Sequence, residues 1–185
     1  MTANIKFAKV RPDAKIPSKR DEDMGFDIYA CFDEDYISID PHETKLIPTG
    51  IASSCDSDYG FIVFERGSTG SKGIARRCGV IDSGYRNEWF IGLTNTTNHT
   101  LYISKISKDE LAEKISKTGT FAVDLLFGSL IKETVKNAIV YPYSKAIAQA
   151  LVVPVPSVTV EEISYENLQQ IASERGMGAL GSSNK

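Results

Sequence analysis

Sulfur and imidazole are scarce in this chain. Three cysteines, Cys31, Cys55 and Cys78, occur in 185 residues; an odd number without paired close spacing argues against a disulfide framework and against a zinc site. They read as buried thiols in a reducing compartment. The two histidines, His42 and His99, are too far apart to form a His-x-x-x-His pair, which disfavours a histidine-bound transition metal. Both read as surface or turn residues. An excess of basic charge is also missing: 21 Lys and Arg stand against 24 Asp and Glu, for a net charge of −3 and a pI near 5.5. Polymeric nucleic acid is therefore not an expected partner, because binding a phosphate backbone needs a basic face. Any anionic ligand must be met by a local cluster. Long hydrophobic runs are lacking as well, since the most apolar stretch, Phe121 to Ile131, is broken by Asp124 and falls short of the roughly 20 residues a membrane span needs. The amino-terminal residues alternate charged and apolar like a strand and carry no cleavable signal, so the reading is a soluble cytoplasmic protein without membrane contact.

What is present is β-strand and turn chemistry. Short apolar runs at 5–10, 36–39, 46–47, 61–64, 88–93 and 101–103 are punctuated by Pro41, by Pro48-Thr49-Gly50 and by residues 56–60. That spacing predicts an all-β sandwich or barrel. Strand character resumes after residues 140–142, with a core strand expected over 146–153 and an exposed edge or exit at Pro154 and Pro156. Residues 1–163 read as a single β domain, long enough to bury a core unaided. Residues 164–185 read as a carboxy-terminal arm: an amphipathic helical candidate over 164–173 carrying Leu168 and Ile171, then a Gly/Ser-rich tail too poor in apolar side chains to pack by itself.

Between the β regions the character changes. Residues 105–137 have helical composition, with candidate helices over 108–115 and from Phe121 through Val135, separated at Thr118-Gly119-Thr120. The segment reads as an inserted lid or edge decoration, and the apolar residues between 125 and 131 need a surface to cover them, whether the barrel, a second copy or a protein partner.

Three places carry chemistry. The stretch Gly79-Val80-Ile81-Asp82-Ser83-Gly84-Tyr85-Arg86 predicts a strand entering a hairpin turn, with Ser83-Gly84 free to take positive φ and with Asp82 and Tyr85 at the hairpin mouth. The run from Arg66 through Gly67, Ser68, Thr69, Gly70 and Ser71 to Lys72 predicts a phosphate-compatible loop of cations and hydroxyls. Arg175 to Ser183 has the composition of a second one, in which glycines let backbone N–H groups approach phosphate oxygens and Arg offers a two-pronged donor. Asp27, after Gly25-Phe26, reads either as a site carboxylate or as the structural partner of an arginine. Gln149, an amide in an apolar strand, must find hydrogen-bond partners if buried.

Taken in order, Met24 to Ala30, Arg66 to Gly73, the Asp82 turn, Ala146 to Gln149 and Arg175 to Ser183 resemble the five ordered motifs of the trimeric dUTP diphosphatases, or dUTPases. The resemblance implies a jelly-roll or distorted barrel, a homotrimer with sites at subunit interfaces, and hydrolysis of dUTP to dUMP and pyrophosphate, in the cytoplasm or in the interior of a host cell. Asp82 is then the general base for water attack on the α-phosphorus, with Mg²⁺ arriving on the triphosphate and not in a protein cage. Main-chain groups around Gly79, Val80 and Ile81 would read the uracil edge, and Tyr85 would pack on the deoxyribose. Arg66, Ser68, Thr69 and Gln149 would meet the phosphates, with Asp27 and Lys72 in support. Arg175, Gly178, Leu180, Gly181 and Ser182 would close over the nucleotide. Two positions depart from the family: Gly67 stands where a serine directly follows the arginine, leaving either a shifted loop in which Ser68 serves or a missing hydrogen bond, and Leu180 replaces a stacking aromatic. The related dCTP deaminases, including bifunctional ones, and a regulatory dUTPase-like protein binding a partner through 105–137 are the alternative readings.

Overall fold

The structure is a computed structural model that describes residues 3–77, 79–118, 138–174 and 176. They fall into two compact units, divided between Val155 and Pro156. The first holds twelve strands: β1 (Ile5–Lys9), β2 (Phe26–Ile28), β3 (Tyr36–Ile39), β4 (Thr44–Pro48), β5 (Ile51–Cys55), β6 (Tyr59–Phe64), β7 (Ile74–Arg77), β8 (Val80–Ile81), β9 (Phe90–Asn95), β10 (Leu101–Ser104), β11 (Ile139–Pro142) and β12 (Ala148–Pro154). One helical turn, α1 (Gly67–Gly70), follows β6, and α2 (Lys108–Thr118) follows β10. The strands form four sheets in the orders β1-β5, β11-β10-β3, β2-β12-β6-β8 and β4-β9-β7.

Alternation explains why these residues make sheets. Along β5 every second residue is buried, and β9 presents Ile91, Leu93 and Asn95 inward beside Ile47 of β4 and Ile74 of β7. One apolar core serves all four sheets, centred on Trp89, Phe61 and Phe7, whose rings meet at 5.0–5.8 Å. The buried indole satisfies its N–H by donating to Ser53 Oγ at 3.2 Å. Asn95, also fully buried, donates from Nδ2 to the carbonyls of Ile39, Asp40 and His99 and so ties three loops together. Gly50 sits at φ +67° where the chain turns from β4 to β5; a Cβ there would lie 2.7 Å from Ala14 Cβ and 2.9 Å from Cys31 Sγ. Gly50→Ala is therefore expected to destabilise the fold by about 2 kcal/mol, from overpacking added to left-handed strain. A urea midpoint unchanged from the parent would sink that expectation.

Most expected strands are found within two residues of their predicted bounds. The exceptions have local causes. β5 and β7 were not legible because Ser53, Ser54, Arg76 and Arg77 dilute their apolar signal. β9 starts at Phe90, since Glu88 and Trp89 are spent on the β5 junction, where the Gly50 N–H donates to Glu88 Oε1 and the Trp89 N–H to the Ile51 carbonyl. The strand expected from 146 begins at 148. The hairpin predicted at Asp82 is not one: β8 pairs with β6 while the next strand, β9, pairs with β4 and β7, so the turn joins two different sheets. Gly84 is not in the left-handed region either, positive φ among the described residues being confined to His42, Gly50, Gly73 and Gly176.

The segment between β10 and β11 has a topological job. β10 and β11 are parallel neighbours, whereas every other ladder among the described strands is antiparallel. Parallel neighbours need a crossover, usually helical, and residues 105–138 supply it. α2 begins with a capping box between Ser107 and Glu110, buries Leu111 completely and pairs Lys114 with Asp35. The second helix expected over 121–135 lies outside the described residues.

In the second unit, residues 156–163 are exposed, and α3 (Tyr165–Gln170) is capped by Ser164, whose hydroxyl accepts from the Asn167 N–H at 3.2 Å. Leu168 and Ile171, expected on an apolar face, are both exposed. No described helix is long and apolar enough to cross a membrane.

Candidate active site

Strand register brings three sequence-selected residues together. Gln149 of β12 lies opposite Asp27 of β2 on one side and Phe64 of β6 on the other. Directly opposed residues share a face of the sheet, so Asp27 and Gln149 project side by side. The Gln149 amide donates to the Glu65 carbonyl at 3.0 Å, which supplies the partner its apolar strand demanded. Gly25 makes this approach feasible, because a Cβ there would lie 2.8 Å from Gln149 Oε1.

Arg66 follows at the end of β6 and serves two purposes. Its main chain caps α1: the Arg66 N–H donates to Thr69 Oγ1 at 2.9 Å, and the Thr69 hydroxyl donates to the Arg66 carbonyl at 2.9 Å. Its guanidinium grips Asp27, with Nε 2.9 Å from Oδ1 and Nη2 3.3 Å from Oδ2, and also donates to the Ala146 carbonyl. Both partners of this ion pair are about one-third exposed. The pair contributes modestly to stability and fixes geometry instead. The two readings of Asp27 thus coincide: it is the structural partner of an arginine, at the site.

The segment expected as an open loop is a helical turn, and that sorts its side chains. Thr69 is buried and its hydroxyl is engaged by Arg66, whereas Ser68 and Gly67 are exposed. A Cβ at position 67 would meet nothing within 4 Å, so the space for a serine there is open. The Lys72 ammonium sits over the Tyr141 ring at 5.6 Å.

Asp27, Arg66, Gln149 and Gly25 line a cavity of about 660 Å³ whose remaining wall is Ser18, Lys19, Arg20, Glu22, Asp23 and Met24. Sequence reasoning missed that wall. Its signal was present as five consecutive charged residues, 19–23, just ahead of the first motif.

The Asp82 turn stands outside this cavity. It is held by Arg86, whose Nη1 donates to the carbonyls of Ser83 at 2.6 Å, Tyr85 at 3.2 Å and Ser53 at 3.3 Å. The Tyr85 N–H closes the turn on the Asp82 carbonyl at 3.1 Å, and the Tyr85 hydroxyl donates to the Glu88 carbonyl. Asp82 is exposed, and its carboxylate takes no hydrogen bond or ion pair among the described residues. β8 is the edge of its sheet. The Val63 N–H donates to the Gly79 carbonyl and Phe61 faces Ile81, so antiparallel alternation turns the N–H and C=O of Val80 outward. Among the described residues these main-chain groups have no partner, and they stand close in sequence to the exposed Asp82 carboxylate. Arg175, Gly178, Leu180, Gly181 and Ser182 lie outside the described residues.

Residues 13–108, just over half of the chain, match the family model described as dUTPase. The chain belongs to the dUTPase family. Its reaction is the hydrolysis of dUTP to dUMP. The deoxyuridine 5'-triphosphate nucleotidohydrolase of Nautilia profundicola is 28% identical over 189 aligned positions, covering 98% of this chain and 99% of that protein. Among solved structures, the dUTPase of Staphylococcus bacteriophage 80alpha with dUpNHpp has a TM-score of 0.66 at 18% identity, covering 98% of this chain and 99% of that one. The dUTPase of phage phi11 of S. aureus, in a study of the coordination of a structural Mg(II) ion, has a TM-score of 0.59 at 16% identity, covering 88% and 99%. At such identities the two structures speak for the shared all-β fold, which agrees with the sheets described above.

Proposed function

We propose that this dUTPase cleaves dUTP between the α- and β-phosphorus, with Asp82 as general base and with each site assembled from more than one copy of the chain. The observation that carries the reading is the separation of parts: Asp27, Arg66 and Gln149 line one cavity, while Asp82, Tyr85 and the open edge of β8 stand outside it. A ring of copies supplies both halves at each junction, and the homotrimer expected for the family is such a ring. The Asp82 carboxylate would accept a proton from the attacking water. The outward N–H and C=O of Val80 present a donor and an acceptor to the uracil edge. A base with reversed polarity would leave both unpaired, which is how such a site rejects cytosine. Tyr85, its hydroxyl engaged by Glu88, presents the ring face to the sugar.

On this reading Mg²⁺ arrives on the nucleotide. No group of three or more His, Cys, Asp or Glu side chains that could hold a metal occurs among the described residues, and Asp27 and Asp23 are each engaged by an arginine. No residue is assigned as a ligand. When bound to the triphosphate the ion would offset negative charge and help fix the chain of phosphates. On this reading Ser68, exposed on α1, supplies the hydroxyl that Gly67 lacks. Arg175, Gly178, Leu180, Gly181 and Ser182 cover the bound nucleotide. The reaction belongs to the cytoplasm, or to the interior of an infected cell.

The test is to incubate the pure protein with dUTP, dCTP, dTTP and UTP plus Mg²⁺ while following pyrophosphate and ammonia separately. Pyrophosphate from dUTP alone is the expected result. Ammonia from dCTP would replace this reading with the deaminase branch of the fold.

A further inference from the structure

One nitrogen atom ties together the turn that carries Asp82. Nη1 of Arg86 donates to the carbonyls of Ser83, Tyr85 and Ser53 at 2.6, 3.2 and 3.3 Å. Arg20 and Arg66 grip carboxylates, whereas Arg86 forms no ion pair among the described residues. It therefore holds main chain on both sides of the turn without touching the Asp82 carboxylate.

The Ser53 contact gives this arginine its importance. The other hydrogen bonds that residues 82–87 make among the described residues stay within the connection from β8 to β9: the Tyr85 N–H meets the Asp82 carbonyl, and the Tyr85 hydroxyl meets the Glu88 carbonyl. A Cβ at Gly84 would meet nothing within 4 Å, so packing does not steady that side of the turn. Ser53, by contrast, belongs to the core. It is 4% exposed, lies opposite Phe7 of β1, and its hydroxyl accepts from the buried Trp89 indole at 3.2 Å. The carbonyl of Asp82 is fixed by Tyr85 and the next one, that of Ser83, by Arg86, so the main chain leaving Asp82 is referenced to β5 through a single side chain.

We infer that Arg86 is the positioning residue of the general base: it fixes the Asp82 turn against β5 so that the carboxylate meets the attacking water. The inference rests on the reading of Asp82 as that base. A base acts only within hydrogen-bond reach of the proton it takes, so displacing it weakens the transition state and leaves the bound substrate as it was. The binding groups are held by other means. Val80 sits in the ladder of β8 with β6, and the Tyr85 ring has its own tie to Glu88. Loss of Arg86 therefore acts on kcat and leaves KM alone.

The experiment measures kcat for dUTP and the dissociation constant of α,β-imido dUTP, each with Mg²⁺, for the full chain and its variants. Circular dichroism melts confirm that each variant is folded. Arg86→Met keeps the aliphatic stem and removes the donors; it is expected to lower kcat about 10- to 100-fold, as for a base misplaced by roughly 1 Å, and to leave the dissociation constant within about threefold. Arg86→Gln, whose amide is too short to span the three carbonyls, should do the same and replaces the Met variant if that one does not fold. Arg86→Lys is expected to recover most of kcat, because the three carbonyls meet at one nitrogen and an ammonium has three N–H donors for them. Unchanged kcat in Arg86→Met, an equal loss of affinity, or a Lys variant no better than Met overturns the inference. Asp82→Asn keeps the two failures apart. If it lowers kcat and Arg86→Met lowers it no further in that background, Arg86 acts through Asp82. If the two losses multiply, only the role of Arg86 falls, and if Asp82→Asn leaves kcat unchanged, Asp82 is not the base.

Discussion

An Asp82→Asn variant is expected to bind α,β-imido dUTP as the parent does while releasing pyrophosphate from dUTP about 10²–10⁴-fold more slowly, the usual range for removing a general base. The amide is nearly isosteric with the carboxylate, and the turn beneath it is held by Arg86 and by the Tyr85 N–H, not by the Asp82 side chain. The hydrogen bonds that hold the turn do not involve the charge that is removed. Single-turnover pyrophosphate release and calorimetric titration with the imido analogue read the two quantities separately. Turnover within a few-fold of the parent would take Asp82 out of the mechanism, and lost affinity would make it a binding group instead.

The second large effect comes from mixing two dead proteins. Arg66→Gln removes the cation of the cavity and Asp82→Asn the carboxylate at the turn, so each variant is expected to be inactive on its own. Co-refolding them at equal ratio lets an intact cavity on one copy face an intact turn on the next. Random association around a ring makes about one quarter of the sites whole, and activity should recover to that fraction of the parent's. If both halves came from a single chain, no mixture could contain a whole site and activity would stay at the level of the separate variants. The pocket lining argues for recovery, because it contains Arg66 and none of residues 79–85.

What the sequence made legible follows from how local each signal was. Apolar alternation located most strands, since one face of each is buried on the common core. Asp27, Arg66 and Gln149 were found as motif residues, but their meeting is a matter of register: β12 returns from far along the chain to lie between β2 and β6, and no local pattern encodes which strands it will join. The same limit explains the mistaken hairpin at Asp82. Val80-Ile81 followed by Ser83-Gly84 has the composition of a hairpin arm and turn, yet whether the next strand folds back on the first is decided by Trp89, which is drawn into the core beside Phe61 and carries β9 to another sheet. That Thr69 caps α1 through its hydroxyl was not legible, because the helical turn it caps has the composition of a loop. Lys19 and Arg20, which line the cavity, were not singled out at all, because the bridge from Ser18 to Asp27 that anchors their segment joins residues of unlike pattern.

The placement of β12 also bears on how the protein is made. On a ribosome, Asp27 and Arg66 emerge early, but Gln149 arrives only with the strand that completes their sheet, and until then β2 has no strand partner. A chain cut short before residue 148 would present β2 and one side of β6 as open edges, the form of surface that draws other chains into aggregates. Completion of the sheet that carries Asp27 and Gln149 and protection from aggregation are thus acquired together, once β12 is made, and incomplete products would be recognisable to quality control by their exposed edges.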